Sequence, residues 1–102
     1  ELRYMAYYDS LTGLYSRNYF VQRLSEFVRE ASETNNIVSV MILDVDDFKQ
    51  INDRCGHQTG DEVLAKFAEI IKSIISGRGR VGRFGGDEFC AAIFTYNHAG
   101  AG

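Results

Sequence analysis

With 102 residues and 45% hydrophobic content, the chain can bury one core but hardly two, so it holds a single domain at most. Its formal charge of −3, from 14 acidic and 11 basic residues, leaves no basic stripe for counterion-release binding to nucleic acid, and no apolar stretch approaches the ~20 residues of a membrane helix. The two cysteines, Cys55 and Cys90, show no CxxC spacing and are too few for a disulfide framework, which points to reduced thiols in a cytosol.

Residues 17 to 32 place Phe20, Leu24, Phe27, Val28 and Ala31 at steps of three and four, with Gln22, Arg23, Glu26 and Arg29 between them, the pattern of an amphipathic helix. Ser16 fits its N-cap, because a serine hydroxyl accepts from a free N–H of the first turn, and Thr34-Asn35-Asn36 ends the pattern. Residues 37 to 43 are nearly all apolar, β-branched and too short for a typical helix, so they read as a strand buried on both faces. Residues 48 to 53 suggest a short helix capped by Asp46 or Asp47. A second long helix is expected to begin near residues 59 to 61, where Thr59 and Glu62 have capping-box spacing. It continues through Val63, Leu64, Phe67, Ala68, Ile71, Ile74 and Ile75 until Gly77 and Gly79 stop it. Two short β-type runs, 80 to 84 and 89 to 94, flank Gly85-Gly86-Asp87-Glu88, which signals a hairpin. The order helix, strand, helix, hairpin predicts an α/β chain folded as an α+β sandwich, with helices covering one face of a sheet.

The chemistry concentrates after the first strand, in Asp44-Val45-Asp46-Asp47-Phe48-Lys49. Three carboxylates that close repel one another, and a carboxylate partly removed from water needs a counter-charge, hydrogen bonds or a raised pKa. For Asp47 helix capping is the simpler reading. Asp44 belongs to the strand and has no cation near it in sequence, so a divalent metal is its candidate counter-charge. The second acidic pair, Asp87-Glu88, sits in the hairpin turn behind two glycines that leave the backbone open to a ligand. Alone, that turn is equally ordinary hairpin chemistry. If the hairpin pairs alongside the central strand, however, Asp44 and Asp87 converge at one rim, as in Mg²⁺ sites completed by substrate phosphates. Rival schemes fail on spacing: an EF-hand counted from Asp44 would meet Phe48 and Lys49 at its fifth and sixth positions, there is no GxxxxGK[ST] loop, and His57 and His98 are far from each other and from any paired cysteines.

Gly85-Gly86-Asp87-Glu88-Phe89 resembles the signature of the GGDEF family, the diguanylate cyclases, and other landmarks of that family stand in order around it. They are Asp9-Ser10-Leu11-Thr12-Gly13-Leu14, Leu43-Asp44-Val45-Asp46-Asp47-Phe48-Lys49, Ile51-Asn52-Asp53 and Gly56-His57-Gln58-Thr59-Gly60-Asp61, so the resemblance covers nearly the whole chain. It implies a palm-like, ferredoxin-like sheet similar to that of adenylyl cyclases and polymerases. It further implies condensation of two GTP molecules into the bacterial second messenger cyclic di-GMP, with pyrophosphate release, on a homodimer joined to an upstream sensory or dimerising domain. The implied location is cytoplasmic, within a parent protein that is membrane-anchored in some architectures.

By position, Asp44 and Asp87 resemble the Mg²⁺ (or Mn²⁺) ligands, with the Val45 carbonyl assisting. Glu88 resembles the residue that binds a second metal or helps deprotonate the attacking 3′-hydroxyl, so Asp44, Asp87 and Glu88 form the implied catalytic set. Lys49 and the backbone near Phe48 resemble the phosphate contacts, beside Gly85 and Gly86. Asn52 and Asp61 match the guanine-reading positions, and a carboxylate does accept from guanine N1–H and N2–H₂ while repelling adenine's N1 acceptor. Asp61 also suits a helix start, where the dipole favours an acid. Arg83 either supports the hairpin or is a plain solvated arginine. The alternative function is a catalytically inactive GTP-binding regulatory module. Such modules usually lose an acidic signature residue, whereas Asp44, Asp87 and Glu88 are all present. Two departures from the family stand out. Members continue with a further helix and strands that bring a lysine and an arginine to the triphosphate, so residues 1 to 102 are expected to be an incomplete catalytic domain. The inhibitory RxxD product motif is replaced by Ser76 and Gly79 at its two key positions.

Overall fold

The computed structural model describes residues 6 to 95. Its strands are β1 (Tyr15–Ser16), β2 (Ile37–Asp44), β3 (Gly79–Arg83) and β4 (Glu88–Thr95), and its helices are α1 (Arg17–Thr34), α2 (Phe48–Cys55) and α3 (His57–Ile75). The strands form one sheet in the order β1-β3-β4-β2, with β1 parallel to β3 and the other two pairs antiparallel. No helix among the described residues is long and apolar enough to cross a membrane.

Helix α1 begins at the expected cap: Ser16 is extended, and its Oγ accepts from the Tyr19 N–H at 3.2 Å. The same hydroxyl donates to the Ala6 carbonyl at 2.7 Å and so ties the incoming chain to the helix start. Asn35 ends the helix in the left-handed region, with its N–H reaching the Ala31 carbonyl. The helix buries Phe20, Phe27 and Ala31, but Val28, expected inside, is exposed. At 100° per residue Val28 lies about 80° round from Phe20, off the edge of the buried stripe. Ile74 is exposed on α3 for the same reason, about 80° round from Leu64.

Opposite residues on antiparallel strands share a face, and successive residues alternate. Val81, Phe89 and Ala91 therefore pack with Leu64, Ala68, Ile71 and Ile75 of α3, while Cys90 and Ala92 pack with Phe20 of α1. The helices thus cover both faces of the sheet, which corrects the one-face expectation, because both sets of alternating residues in β4 are apolar. Phe20, Leu64 and Phe89 are fully buried; burial of such side chains stabilises by about 1.5–3 kcal/mol each.

Three further expectations change. Among the described residues strand β2 is not buried on both faces: Ile37, Val40, Met41 and Ile42 are 40–61% exposed, because β2 is the outermost strand there, paired with β4 on one side. Helix α3 starts at His57 after Gly56, so the Thr59–Glu62 capping box does not form. Gly56 serves both helices instead, with its N–H bonded to the Asn52 carbonyl at 2.9 Å and its carbonyl accepting from the Gly60 N–H at 3.1 Å. Asp47 does occupy the N-cap position of α2, but in a left-handed conformation (φ 58°) without a side-chain cap bond.

Candidate functional site at the β2–β4 rim

The β2–β4 ladder runs in register from Ile37↔Thr95 to Asp44↔Glu88, its last pair. One step beyond, the Val45 N–H donates to the Asp87 carbonyl at 3.2 Å. The backbone thereby sets Asp44, Val45, Asp87 and Glu88 side by side at one rim of the sheet. Asp44 is exposed, contrary to the expectation that it shares a buried strand, and Glu88 is exposed while Asp87 is half-buried. Among the described residues none of the three carboxylates is in a salt bridge, and no group of three or more His, Cys, Asp or Glu side chains is gathered closely enough to hold a metal ion. The rim is an open edge. The two hollows of note, about 280 Å³ beside Leu14, Tyr15, Lys72 and Val81 and about 350 Å³ beside Glu30, Asn36 and Arg78, are lined by none of these residues.

The hairpin turn is held from outside by Arg83. Its Nε donates to the Gly85 carbonyl at 3.0 Å and one terminal nitrogen donates to the Gly86 carbonyl at 2.8 Å. The other terminal nitrogen donates to Asp9 Oδ1 and Oδ2 at 3.3 and 3.2 Å. Asp9 also accepts from the Thr12 amide at 2.9 Å and the Thr12 hydroxyl at 2.8 Å. Partial burial pushes the Asp9 carboxyl up, but the Thr12 hydroxyl and amide and the Arg83 guanidinium outweigh it and hold its pKa below the ordinary value. Inside the turn, Phe84 and Gly85 both donate to the Glu88 carbonyl, at 2.8 and 3.2 Å. Neither Gly85 nor Gly86 has a positive φ, and a Cβ on either would meet nothing closer than 3.6 Å. The fold itself therefore places no steric or conformational demand for glycine at either position.

Further along the chain, Phe48 is half-buried and packs against the α3-side core, whereas Lys49 is exposed. Asn52 on α2 lies against Gly60 of α3, and exposed Asp61 follows directly. Sequence reasoning left Asp9 without a role and Arg83 undecided, because the two are 74 residues apart; the Asp-x-x-Thr spacing, which suits a side-chain-bonded turn, was the available signal. The burial of Cys90 beside Phe20, together with the charge of Glu88, pushes its thiol pKa up and argues against reactivity there.

A mixed α/β domain with an acidic hairpin at one rim of its sheet is the class that the fold and this site define. The chain belongs to the GGDEF family: the family model described as diguanylate cyclase, GGDEF domain, matches residues 6–101. It is 40% identical over 99 residues to diguanylate cyclase DgcS of Shewanella oneidensis, an alignment covering 97% of this chain and 33% of that protein. It is 43% identical over 99 residues to the cyclic di-GMP phosphodiesterase NbdA of Pseudomonas aeruginosa, covering 96% of this chain and 13% of that one. Among solved structures, the GGDEF domain of DgcB from Caulobacter crescentus in complex with c-di-GMP superposes with a TM-score of 0.84 at 33% identity, over 94% of this chain and 56% of that one. The chain thus spans about a third or less of the length of these curated relatives.

Proposed function

We propose that the rim is the GTP site of a diguanylate cyclase, in which two copies condense two GTP molecules into cyclic di-GMP and pyrophosphate. The observation that carries this reading is the strand register that opposes Asp44 to Glu88 and ties Val45 to Asp87 in a chain of the GGDEF family. The donor set fits a hard divalent cation, Mg²⁺ or Mn²⁺: all of it is oxygen, and no protein cation forms a salt bridge with it among the described residues. Asp44 and Asp87, with the Val45 carbonyl, would hold the cation, and nucleotide phosphates would complete its shell. When bound, the cation neutralises charge that develops on the entering and leaving oxygens.

The remaining work falls to the chain's own groups. Lys49 offers a mobile point charge to the triphosphate, next to the backbone at Phe48. Asn52 and Asp61 hold the guanine edge, and Gly85 and Gly86 let phosphate lie against the main chain. Glu88 accepts the proton of the attacking 3′-hydroxyl, which a carboxylate within hydrogen-bond reach can do. Arg83 keeps the turn in place while this happens. Each domain presents one GTP, so catalysis takes a homodimer, and an upstream sensory or dimerising segment would control the approach of the two halves in the cytoplasm.

Incubation of the complete polypeptide that carries this domain with GTP and Mg²⁺ is expected to yield cyclic di-GMP. Asp44→Asn and Asp87→Asn should each abolish it while leaving the fold intact, because each removes an anionic oxygen from the cation. Wild-type turnover in both folded variants sinks the metal assignment.

A further inference from the structure

Helices α2 and α3 meet at Gly56, and one turn later the backbone of α3 passes directly under the side chain of Asn52 on α2. Gly60 is buried at that crossing. A Cβ built on it would overlap Asn52 Oδ1, stand 3.0 Å from Asn52 Cγ and 3.3 Å from Phe48 Cζ. The carboxamide of Asn52 therefore rests in the space that any side chain at position 60 would fill. Its Oδ1 is buried and has no hydrogen-bond partner. Shape, and not a hydrogen bond, therefore seats the oxygen there.

The inward position has a chemical preference. It faces the Cα of a glycine, whose C–H groups are weak donors to a carbonyl oxygen. An amide N–H₂ in the same place would meet no acceptor. With the oxygen inward, the other end of the planar amide is the donor end.

We infer that Gly60 is a specificity-determining residue: the missing side chain fixes Asn52 with its carbonyl against α3, so that Asn52 offers only donors to the nucleobase. The inference rests on the GTP reading given above and deepens it. A free asparagine reads donors and acceptors alike by turning its amide over, and such a group discriminates bases poorly. Held one way, it requires an acceptor, which guanine supplies at O6. Asp61, one residue after Gly60, requires a donor, which guanine supplies at N1 and N2. Adenine sets an exocyclic amine where guanine has O6, and a fixed donor there leaves two N–H groups facing each other. Buried polar groups left unpaired are what give a site large discrimination.

The test is binding of Mg²⁺-loaded GTP and ATP analogues that resist turnover, measured by calorimetry on the complete polypeptide and four variants: Gly60→Ala, Asn52→Ala, their double variant and Asn52→Asp. Alanine is the better helix former, so Gly60→Ala is expected to keep its melting temperature. It should weaken GTP binding about tenfold, as expected for a hydrogen bond lost with its partner left unpaired, with ATP binding unchanged. The double variant should bind GTP no more weakly than Asn52→Ala, since both changes remove the same contact. The isosteric Asn52→Asp keeps an oxygen inward but exchanges the outward donor for an acceptor, and it should lose GTP affinity at least as strongly. A Gly60→Ala protein with the wild-type GTP-to-ATP ratio overturns the inference, as do additive losses in the double variant. If Gly60→Ala fails to fold, Asn52→Asp decides alone, and wild-type GTP affinity there overturns the inference. A wild-type protein that binds no GTP overturns both this and the reading it rests on, whereas GTP binding indifferent to position 60 overturns this inference only.

Discussion

Arg83 and Asp9 are the residues whose contribution is most sharply defined by distance and burial. Their side chains are 18% and 23% exposed, so this ion pair is better shielded than an ordinary surface pair, and the guanidinium also bonds two turn carbonyls. Arg83→Ala would strip the clamp from the Gly85 and Gly86 carbonyls and leave Asp9 with only its Thr12 bonds. It should lower the unfolding free energy by about 1–3 kcal/mol, the range for hydrogen bonds to charged groups, and reduce turnover more than GTP affinity, because the turn carries Asp87 and Glu88. Chemical denaturation and initial rates check the two parts separately. The Asp9 carboxyl has its pKa lowered from 3.8, so its stabilisation is present above that value and fades as pH falls through the lower folded pKa. The stability gap between wild type and Asp9→Asn should therefore be constant near neutrality and shrink below about pH 4. Sequence alone located the acidic positions, because Asp44, Asp87 and Glu88 sit beside strong local signals, a β-branched run and a Gly-Gly turn. It was silent on the Asp9–Arg83 contact, since no periodicity joins residues 74 positions apart.

At the level of elements, local pattern was legible where neighbours in sequence decide the outcome. The Ser16 cap, the buried stripe of α1 and the β3–β4 hairpin all follow from residues within a turn or two of one another. The burial of β2 does not, because an apolar run is compatible with a central or an edge strand and only the sheet order makes it an edge. The start of α3 escaped for a related reason: Thr59 and Glu62 have capping spacing, but the joint at Gly56 places the helix start two residues earlier. The beginning of β3 bears on regulation. A Cβ on Gly79 would overlap the Ala92 carbonyl oxygen and lie 3.0 Å from Ile93 Cα, so this position cannot take an aspartate without parting β3 from β4. Ser76, exposed at the end of α3, offers no guanidinium fork. Arg78 and Arg80 restore charge nearby, yet Arg80 is already engaged with the Tyr15 hydroxyl at 3.1 Å and the Gly79 carbonyl at 2.8 Å. Turnover is therefore expected to continue as cyclic di-GMP accumulates to micromolar levels, apart from competition at the active site. Progress curves with added product check this; strong noncompetitive inhibition that disappears in Arg78→Ala or Arg80→Ala contradicts it.

For the whole molecule, the sheet with helices on both faces acts as a frame that holds an open rim with acids, Asn52 and Asp61 on α2 and α3, and a clamp that links the turn to the entering chain. Nothing about a rim of this kind encloses two nucleotides, so the proposed condensation takes two copies that meet face to face. The concentration dependence of cyclic di-GMP formation from GTP and Mg²⁺ by the complete polypeptide tests this most directly. Product is expected whose rate per molecule rises with protein concentration until the dimer is filled, with none at any concentration from Asp44→Asn. GTP binding by the wild type with no cyclic di-GMP at any protein concentration would contradict it and leave a nucleotide-binding regulatory module in its place.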